Sequence, residues 1–400
     1  MTLLDRLQAA PASSRGSDGR PSRGGLRQYG MIGALVVIVV LFELLTDGIL
    51  LKPLNVTNLI MQNGYVLVLA IGMMLVIINR EIDLSVGSVA ALVGALTGVG
   101  IVSWGLPWPV VVVLALAAGG LIGAFQGFWV AYMRIPAFIV TLGGMLLFRG
   151  LSMVVLQGQS LAPFPAGFRQ IGSGFVPEFG GDDLHLATVL LGIAAAGVLV
   201  WNDWRSRARR RVYGLSVPDL RWFVLKAVTI VVVIGAFTWV LAVYQGLPIV
   251  GLVVIVLTVA YSFVMTSTVM GRHVYAVGGN ERAAQLSGIA TKRTKFWVFV
   301  NMGVLAALAG LMFAARLNAA TPKAGTNFEL DAIAAAFIGG ASASGGVGTV
   351  VGAIVGGLVM GVMNNGMSLL GLGVDWQQAI KGGVLMLAVA FDVYNKNKSR

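Results

Sequence analysis

The chain contains no cysteine, so disulfides, thiolate metal ligands and thiol nucleophiles are excluded. Histidine is nearly missing as well. His185 and His273 stand far apart in sequence, which argues against a histidine-built metal centre. Charge is scarce: Asp, Glu, Lys and Arg make up 11% of the residues, against about a quarter in a soluble domain. That is too little to solvate the surface of a 400-residue globule. Acidic groups are the rarer sign, 16 against 28 basic, for a formal net charge of +12. Catalytic signatures are missing too. No Gly-x-x-x-x-Gly-Lys-[Ser/Thr] loop is present to cradle a phosphate, no His-Glu-x-x-His helix to hold zinc, and no Gly-x-Ser-x-Gly elbow to present a nucleophile.

What the chain has in abundance is apolar residues, 57% of the total, with a mean hydropathy of +0.87. They fall in runs of about 20 residues, the length a helix needs to cross the hydrocarbon core of a bilayer. The expected fold class is therefore an all-α polytopic membrane protein. Fifty-four glycines are too many for ordinary helices, and in a membrane small residues let helices approach closely. Residues 1–29 are rich in Ser, Gly, Pro and Arg and read as a disordered tail. The first apolar run, about 30–50, is long and lacks a small-residue cleavage site after a short core, so it reads as a span rather than a cleaved signal. Further spans are expected at about 59–79, 84–103, 108–131, 136–156, 184–201, 222–244, 247–269, 296–317, 331–344, 347–370 and 374–391, followed by a short tail at 396–400. That makes twelve crossings in one transmembrane domain over 30–395. The 331–344 segment is short for a span and has the length of a broken or half helix.

Twelve crossings put both termini on one side. Twenty-one of the 28 basic residues then share that side, in the tails, at Arg80 and Arg134, and in the loops at 202–221 and 271–295. The positive-inside rule assigns it to the cytoplasm. The same distribution accounts for the basic balance without nucleic acid. The Arg-Ala-Arg-Arg-Arg cluster at 207–211 reads as an orientation signal or a contact with anionic lipid headgroups, with an acidic protein partner as the lesser reading.

The most specific local feature lies in the 271–295 loop. Gly278 and Gly279 offer a flexible lead-in, Asn280 is a natural N-cap, Glu281 suits the positive end of a helix dipole, and Gly288 can end the helix in the left-handed conformation. The pattern predicts a capped helix of seven or eight residues, about 11 Å long. A short helix at the face of a membrane protein is either a docking element or a plain surface connection.

Polar side chains within spans form a second set: Gln62, Asn63, Gln126, Asn301, Asn364, Asn365 and Gln377. Each is costly in a membrane unless it faces protein or water. Amides together with an aromatic face such as Phe138 suit an uncharged polyol, but amides also serve as interhelical hydrogen-bonding groups. Glu81 and Asp83 close the second span, and Glu329 and Asp331 open the tenth. All four read as structural turn or cap residues. A proton or cation site is the alternative, and Glu43 in the first span is a further acid of that kind. After each acidic pair comes Val-Gly-[Ser/Thr]-Val, at 86–89 and 347–350, a weak internal echo of the sort transporter folds often carry.

Several blocks in order resemble one known family. They are Glu81-Ile82-Asp83-Leu84-Ser85-Val86-Gly87-Ser88, Pro136-Ala137-Phe138-Ile139-Val140-Thr141-Leu142-Gly143-Gly144-Met145, Tyr275-Ala276-Val277-Gly278-Gly279-Asn280 through Ser287-Gly288-Ile289, Glu329-Leu330-Asp331-Ala332-Ile333-Ala334-Ala335, Gly345-Gly346-Val347-Gly348 and Asn364-Asn365-Gly366-Met367. Over roughly 30–395 the chain resembles the membrane permeases of bacterial ATP-binding-cassette (ABC) importers for monosaccharides, the ribose/xylose/galactose group. It looks most like the xylose-type members, because ribose-type permeases lack the additional span pair with an Arg-rich loop, here about 184–244. The resemblance implies a type II importer bundle and a coupling helix that sits in a groove of an ATPase subunit. On this chain that helix is Asn280, Glu281, Arg282, Ala283, Ala284, Gln285, Leu286, Ser287 and Gly288. Ala283 and Ala284 would allow close approach, Leu286 would fill an apolar notch, and Glu281 and Arg282 would pair with the partner. It also implies a second permease copy, an external sugar-binding protein, and ATP and Mg held by the partner rather than by this chain. An ion-coupled sugar carrier, an intramembrane enzyme acting on lipid and a non-transporting scaffold are the rival readings. No convincing nucleophile–base pair supports the enzyme.

Overall fold

A helix that is apolar all the way round must be surrounded by other helices. The second predicted span is of that kind. In the computed structural model it forms α2 (Pro53–Ile78), and every residue from Val66 to Ile78 is buried. The structure describes residues 23–178, 184–214, 217 and 219–397, with side chains between 30 and 390. Before α2 comes α1 (Arg23–Leu45). After it come α3 (Val86–Gly98, ending in a π-helical turn, Val99–Ser103), α4 (Trp108–Ala131), α5 (Ala137–Leu156), α6 (Ala166–Ser173), α7 (Leu186–Val212) and α8 (Leu220–Ala242). The chain continues through α9 (Ile249–Ser267), α10 (Val269–Gly279), α11 (Glu281–Leu286), α12 (Thr291–Leu317), α13 (Phe328–Ile338), α14 (Val350–Leu369) and α15 (Val374–Asn397). Helices α9, α12, α13 and α14 pack around α2; α3 and α4 close on α12, α5 on α3, and α1 on α14.

Each predicted span coincides with a helix, and among the described residues nine helices are long and apolar enough to cross a membrane. Several boundaries move. Residues 23–29, expected in the tail, belong to α1, while 1–22 lie outside the described residues. At the other end 396–397 complete α15, and 398–400 lie outside the description. The Arg cluster is not in a loop. Helix α7 runs on to Val212, about 40 Å in all, and an Asp203–Lys226 ion pair at 2.6 Å and Trp204 against Phe223 hold its extension to α8. The α7–α8 pair is mostly exposed along its length. It is tethered near one end, where Thr188 Oγ1 accepts from Leu247 N and Ala242 O from His185 N. Glu43 is not in mid-span. It lies two residues before the end of α1, and its Oε2 accepts from Leu51 N at 2.9 Å, closing the following turn.

One crossing is discontinuous, and one connection between crossings is closely held. Helix α13 has 11 residues, about 16 Å, half of what a bilayer core requires. Turns and irregular backbone on either side supply the remainder. Ala320, just past α12, exchanges backbone hydrogen bonds with Leu161 beyond the end of α5, at 2.9 and 3.0 Å. Gly346, beyond α13, donates its N–H to Ile78 O at the opposite end of the bundle, at 2.9 Å. The segment therefore passes from one end of the bundle to the other. The second irregular segment is 79–85, the connection between α2 and α3, and side chains tie its buried part down. Asp83 Oδ1 accepts from Ser85 N at 2.8 Å and from Ser85 Oγ at 2.6 Å, Gln126 Nε2 donates to Ser85 Oγ at 2.7 Å, and Thr141 Oγ1 donates to Ile82 O at 3.3 Å.

The two irregular segments meet. A Cβ on Gly87 would strike Gly325 O, and one on Gly325 would strike Gly87 O. Arg149 fixes the second strand of this contact, donating to Ala324 O at 2.5 Å and Gly325 O at 2.9 Å. The sequence echo is thus partial. Val86 and Val350 each open a helix, but Glu81 and Asp83 precede α3 directly, whereas Glu329 and Asp331 belong to the first turn of a different helix, α13.

Glycine sets the other tight crossing. Gly119 and Gly123 lie on one face of α4 at the spacing that lets membrane helices touch backbone to backbone, and α12 presents Gly303 to them. A Cβ on Gly303 would collide with Gly119 O. Gly303→Val should lower the apparent melting temperature of the detergent-purified protein by several degrees, an overpacking cost of about 1–3 kcal/mol or more. Gly143→Ala, where nothing lies within 4 Å of the new carbon, should leave it unchanged. Gln126→Leu removes the buried bond to Ser85 and should cost about 1 kcal/mol in the same assay without changing the sugar concentration that half-saturates uptake.

Candidate functional site

Helix α11 forms where its caps dictate. Asn280 has extended backbone, and its Oδ1 accepts from Ala283 N at 3.0 Å, satisfying one of the first-turn donors. Glu281 lies in the first turn. The chain leaves the helix through Gly288 at φ +84°, where a side chain would be strained. The helix has six residues, about 9 Å, shorter than the seven or eight predicted. Backbone bonds from Ser287 N to Ala283 O and from Ile289 N to Ala284 O turn its last carbonyls into the next segment.

The approach to this helix differs from the sequence reading. Gly278 and Gly279 are not a flexible lead-in. They complete α10, whose start is capped by Thr268 Oγ1 accepting from Gly271 N at 3.3 Å, so the expected polar loop is largely helical. Gly278 is buried because a Cβ there would overlap Ile78 O, at the end of α2. Close backbone packing is the reason for glycine at this position.

Exposure sorts the α11 side chains. Glu281, Arg282, Ala283, Gln285, Leu286, Ser287 and Gly288 are exposed, and Leu286 is 85% exposed, while Ala284 is buried. Ala284 therefore seats the helix on the bundle and is not free for a partner. Glu281 is also engaged: Lys295 Nζ, in the first turns of α12, bonds Glu281 Oε2 at 2.9 Å and Glu81 Oε1 at 2.8 Å. The outward surface consists of Arg282, Ala283, Gln285 and Leu286.

The mount below α11 is dense. Arg80, itself at φ +64°, donates from Nε to Gly278 O at 2.7 Å and from Nη2 to Gly279 O at 2.6 Å. Tyr275 Oη donates to Gly348 O at 2.7 Å, and Gly346 N–H reaches Ile78 O. Three segments converge here: the irregular backbone after α2, the α10–α11 corner, and the turn before α14. Sequence reasoning missed Arg80, Tyr275 and Lys295 as supports of α11, behind its outward surface. Arg80 and Lys295 entered only as basic charges. Arg80's partners and Lys295's partner Glu81 lie about 200 positions away, so no local pattern marks them.

The amides expected on a translocation path are not gathered in one place. Asn63 Nδ2 donates to Leu59 O, and its side chain faces Gly361 on α14. Gln126 is spent on Ser85. Asn301 accepts from Tyr261 Oη between α12 and α9. Asn365 and Asn55 exchange bonds at 2.8 and 3.1 Å between α14 and α2. Gln377 reaches Ser368 Oγ at 3.2 Å and Leu372 O at 2.9 Å. Gln62 and Phe138 are exposed, and Asn364 is half-buried. Among the acids, Asp83 closes its own turn, Asp331 pairs with Lys381 at 2.9 Å, and Glu329 packs against Gly87 with Oε2 unpartnered among the described residues.

The profile of a family described as "Branched-chain amino acid transport system / permease component" matches residues 55–389. The xylose transport system permease protein of Haemophilus influenzae is 43% identical, over 93% of this chain and 98% of its own length. That of Escherichia coli strain K12 is 41% identical over 98% of each. The ribose import permease protein of the same strain is 35% identical, over 92% of this chain and 94% of its own. No solved structure matches. With a bundle of apolar helices, the profile match over most of its length and relatives above 40% identity, the chain belongs to this family of multi-pass membrane permease components.

Proposed function

We propose that this chain is the membrane-spanning subunit of an ABC importer in the bacterial inner membrane, passing a monosaccharide, D-xylose, into the cytoplasm by alternating access. The sugar assignment rests on the relatives: the two xylose permeases are more similar to this chain, at 43% and 41%, than the ribose permease at 35%. A separate ATPase subunit binds ATP and Mg and supplies the work. An external sugar-binding protein delivers the cargo, and a second copy of this chain completes the pathway. Both termini and α11 face the cytoplasm, the side that holds most of the basic residues. The Arg-rich end of α7 lies among anionic lipid headgroups there.

The single observation that carries the docking assignment is α11 itself. A fully capped helix holds Leu286 85% exposed at the face of the bundle, on a mount too dense to be a loose connection. An exposed leucine contributes little to the fold, so Leu286→Asp is a clean test. The variant should reach the membrane at normal levels but lose co-purification with the ATPase subunit and at least about tenfold in D-xylose uptake. Retention of both would exclude α11 as the docking element. Uptake by the intact complex should also continue when an uncoupler collapses the ion gradient while ATP is maintained; loss of uptake under those conditions would point to ion coupling instead.

A further inference from the structure

We propose that Lys295 and Arg80 are transmission residues, which carry the displacement of α11 to the α2–α3 connection and to the discontinuous crossing built on α13. The proposal rests on the docking role of α11 and adds to it the route by which docking is felt inside.

Helix α11 is short, and its own backbone bonds extend only to its neighbours in sequence. Apart from the seated Ala284, its direct tie to the bundle is polar. Lys295 Nζ sits between two carboxylates, one from α11 (Glu281, 2.9 Å) and one from the irregular segment after α2 (Glu81, 2.8 Å). The lysine and Glu81 are mostly buried, whereas Glu281 is half exposed. One cation thus joins the element that a partner would push to the segment that leads into α3. Arg80 repeats the connection one residue earlier. Its guanidinium holds the last two carbonyls of α10, Gly278 O and Gly279 O, from the same irregular segment. A guanidinium with two fixed donors constrains direction as well as distance.

The displacement then has two routes inward. Along 79–85, Asp83 and Ser85 lock the backbone to Gln126 on α4, and Gly87 bears directly on Gly325 before α13. At the other end of α13, Gly346 is bonded to Ile78 O and Gly348 O receives Tyr275 Oη from α10. Helix α13 is therefore gripped at both ends by segments tied to the α10–α11 corner. Packed contacts of this kind move as units and do not bend continuously. The Lys295 ammonium is the narrowest point, because among the described residues neither of its partners is held by another ion pair.

The test uses the full complex of permease, ATPase subunit and binding protein in lipid nanodiscs. Lys295→Gln should still co-purify with the ATPase subunit and keep basal ATP hydrolysis. Stimulation of hydrolysis by sugar-loaded binding protein should fall to near the basal rate, and D-xylose uptake should fall at least about tenfold. Glu81→Gln, the milder change on the other side of the bridge, should give the same split, and Lys295→Arg should restore most of both activities. A structural defect would instead reduce basal hydrolysis and assembly together. Unchanged stimulation and uptake in Lys295→Gln and Glu81→Gln would overturn the proposal. Loss of co-purification in both would overturn it too, because the bridge would then shape the docking face and not the route beyond it. Leu286→Asp separates the levels: if that variant still assembles, the docking role of α11 fails first.

Discussion

Backbone N–H and C=O groups at membrane depth must find partners within the protein, and this constraint shapes the bundle. Among the described residues nine helices are long and apolar enough to meet it by themselves. Helix α13 is too short to do so, and the connection after α2 is irregular. Asp83, Ser85, Gln126 and Thr141 serve the segment after α2, and Arg149 serves the carbonyls before α13. Irregular backbone at these two places gives these polar side chains their partners.

Glycine does the complementary work. Where α4 meets α12, and where Gly87 meets Gly325, backbone lies against backbone with no side chain between. Dispersion rather than hydrophobic transfer favours such contacts in lipid, and it falls away within a fraction of an ångström. The interior is consequently stiff within each packed group of helices. Motion is left to the boundaries between groups.

How much of this was legible in the sequence follows from the range of each signal. Hydropathy runs placed every span because crossing a bilayer is a local, composition-level demand. Asn280 and Gly288 placed α11 because caps act over three or four residues. The end of α7 was misplaced because arginines read as loop on charge, while Asp203 and Trp204 were already tied to α8. Gly278 was misread as freedom because sequence does not reveal that Ile78 O lies against it. Arg80 and Lys295 left no trace beyond their charge, since the contacts that tie both to the opposite part of the chain span about two hundred residues. The in-span amides were visible as a set but not as separate pairs: Asn55 with Asn365, and Asn301 with Tyr261.

The α7–α8 pair shares almost no surface with the remaining helices and is moored at one end. Most of its side chains have few specific companions within the chain to satisfy. The hairpin is an outrigger: it widens the footprint of the chain and leaves the packed interior to the helices around α2.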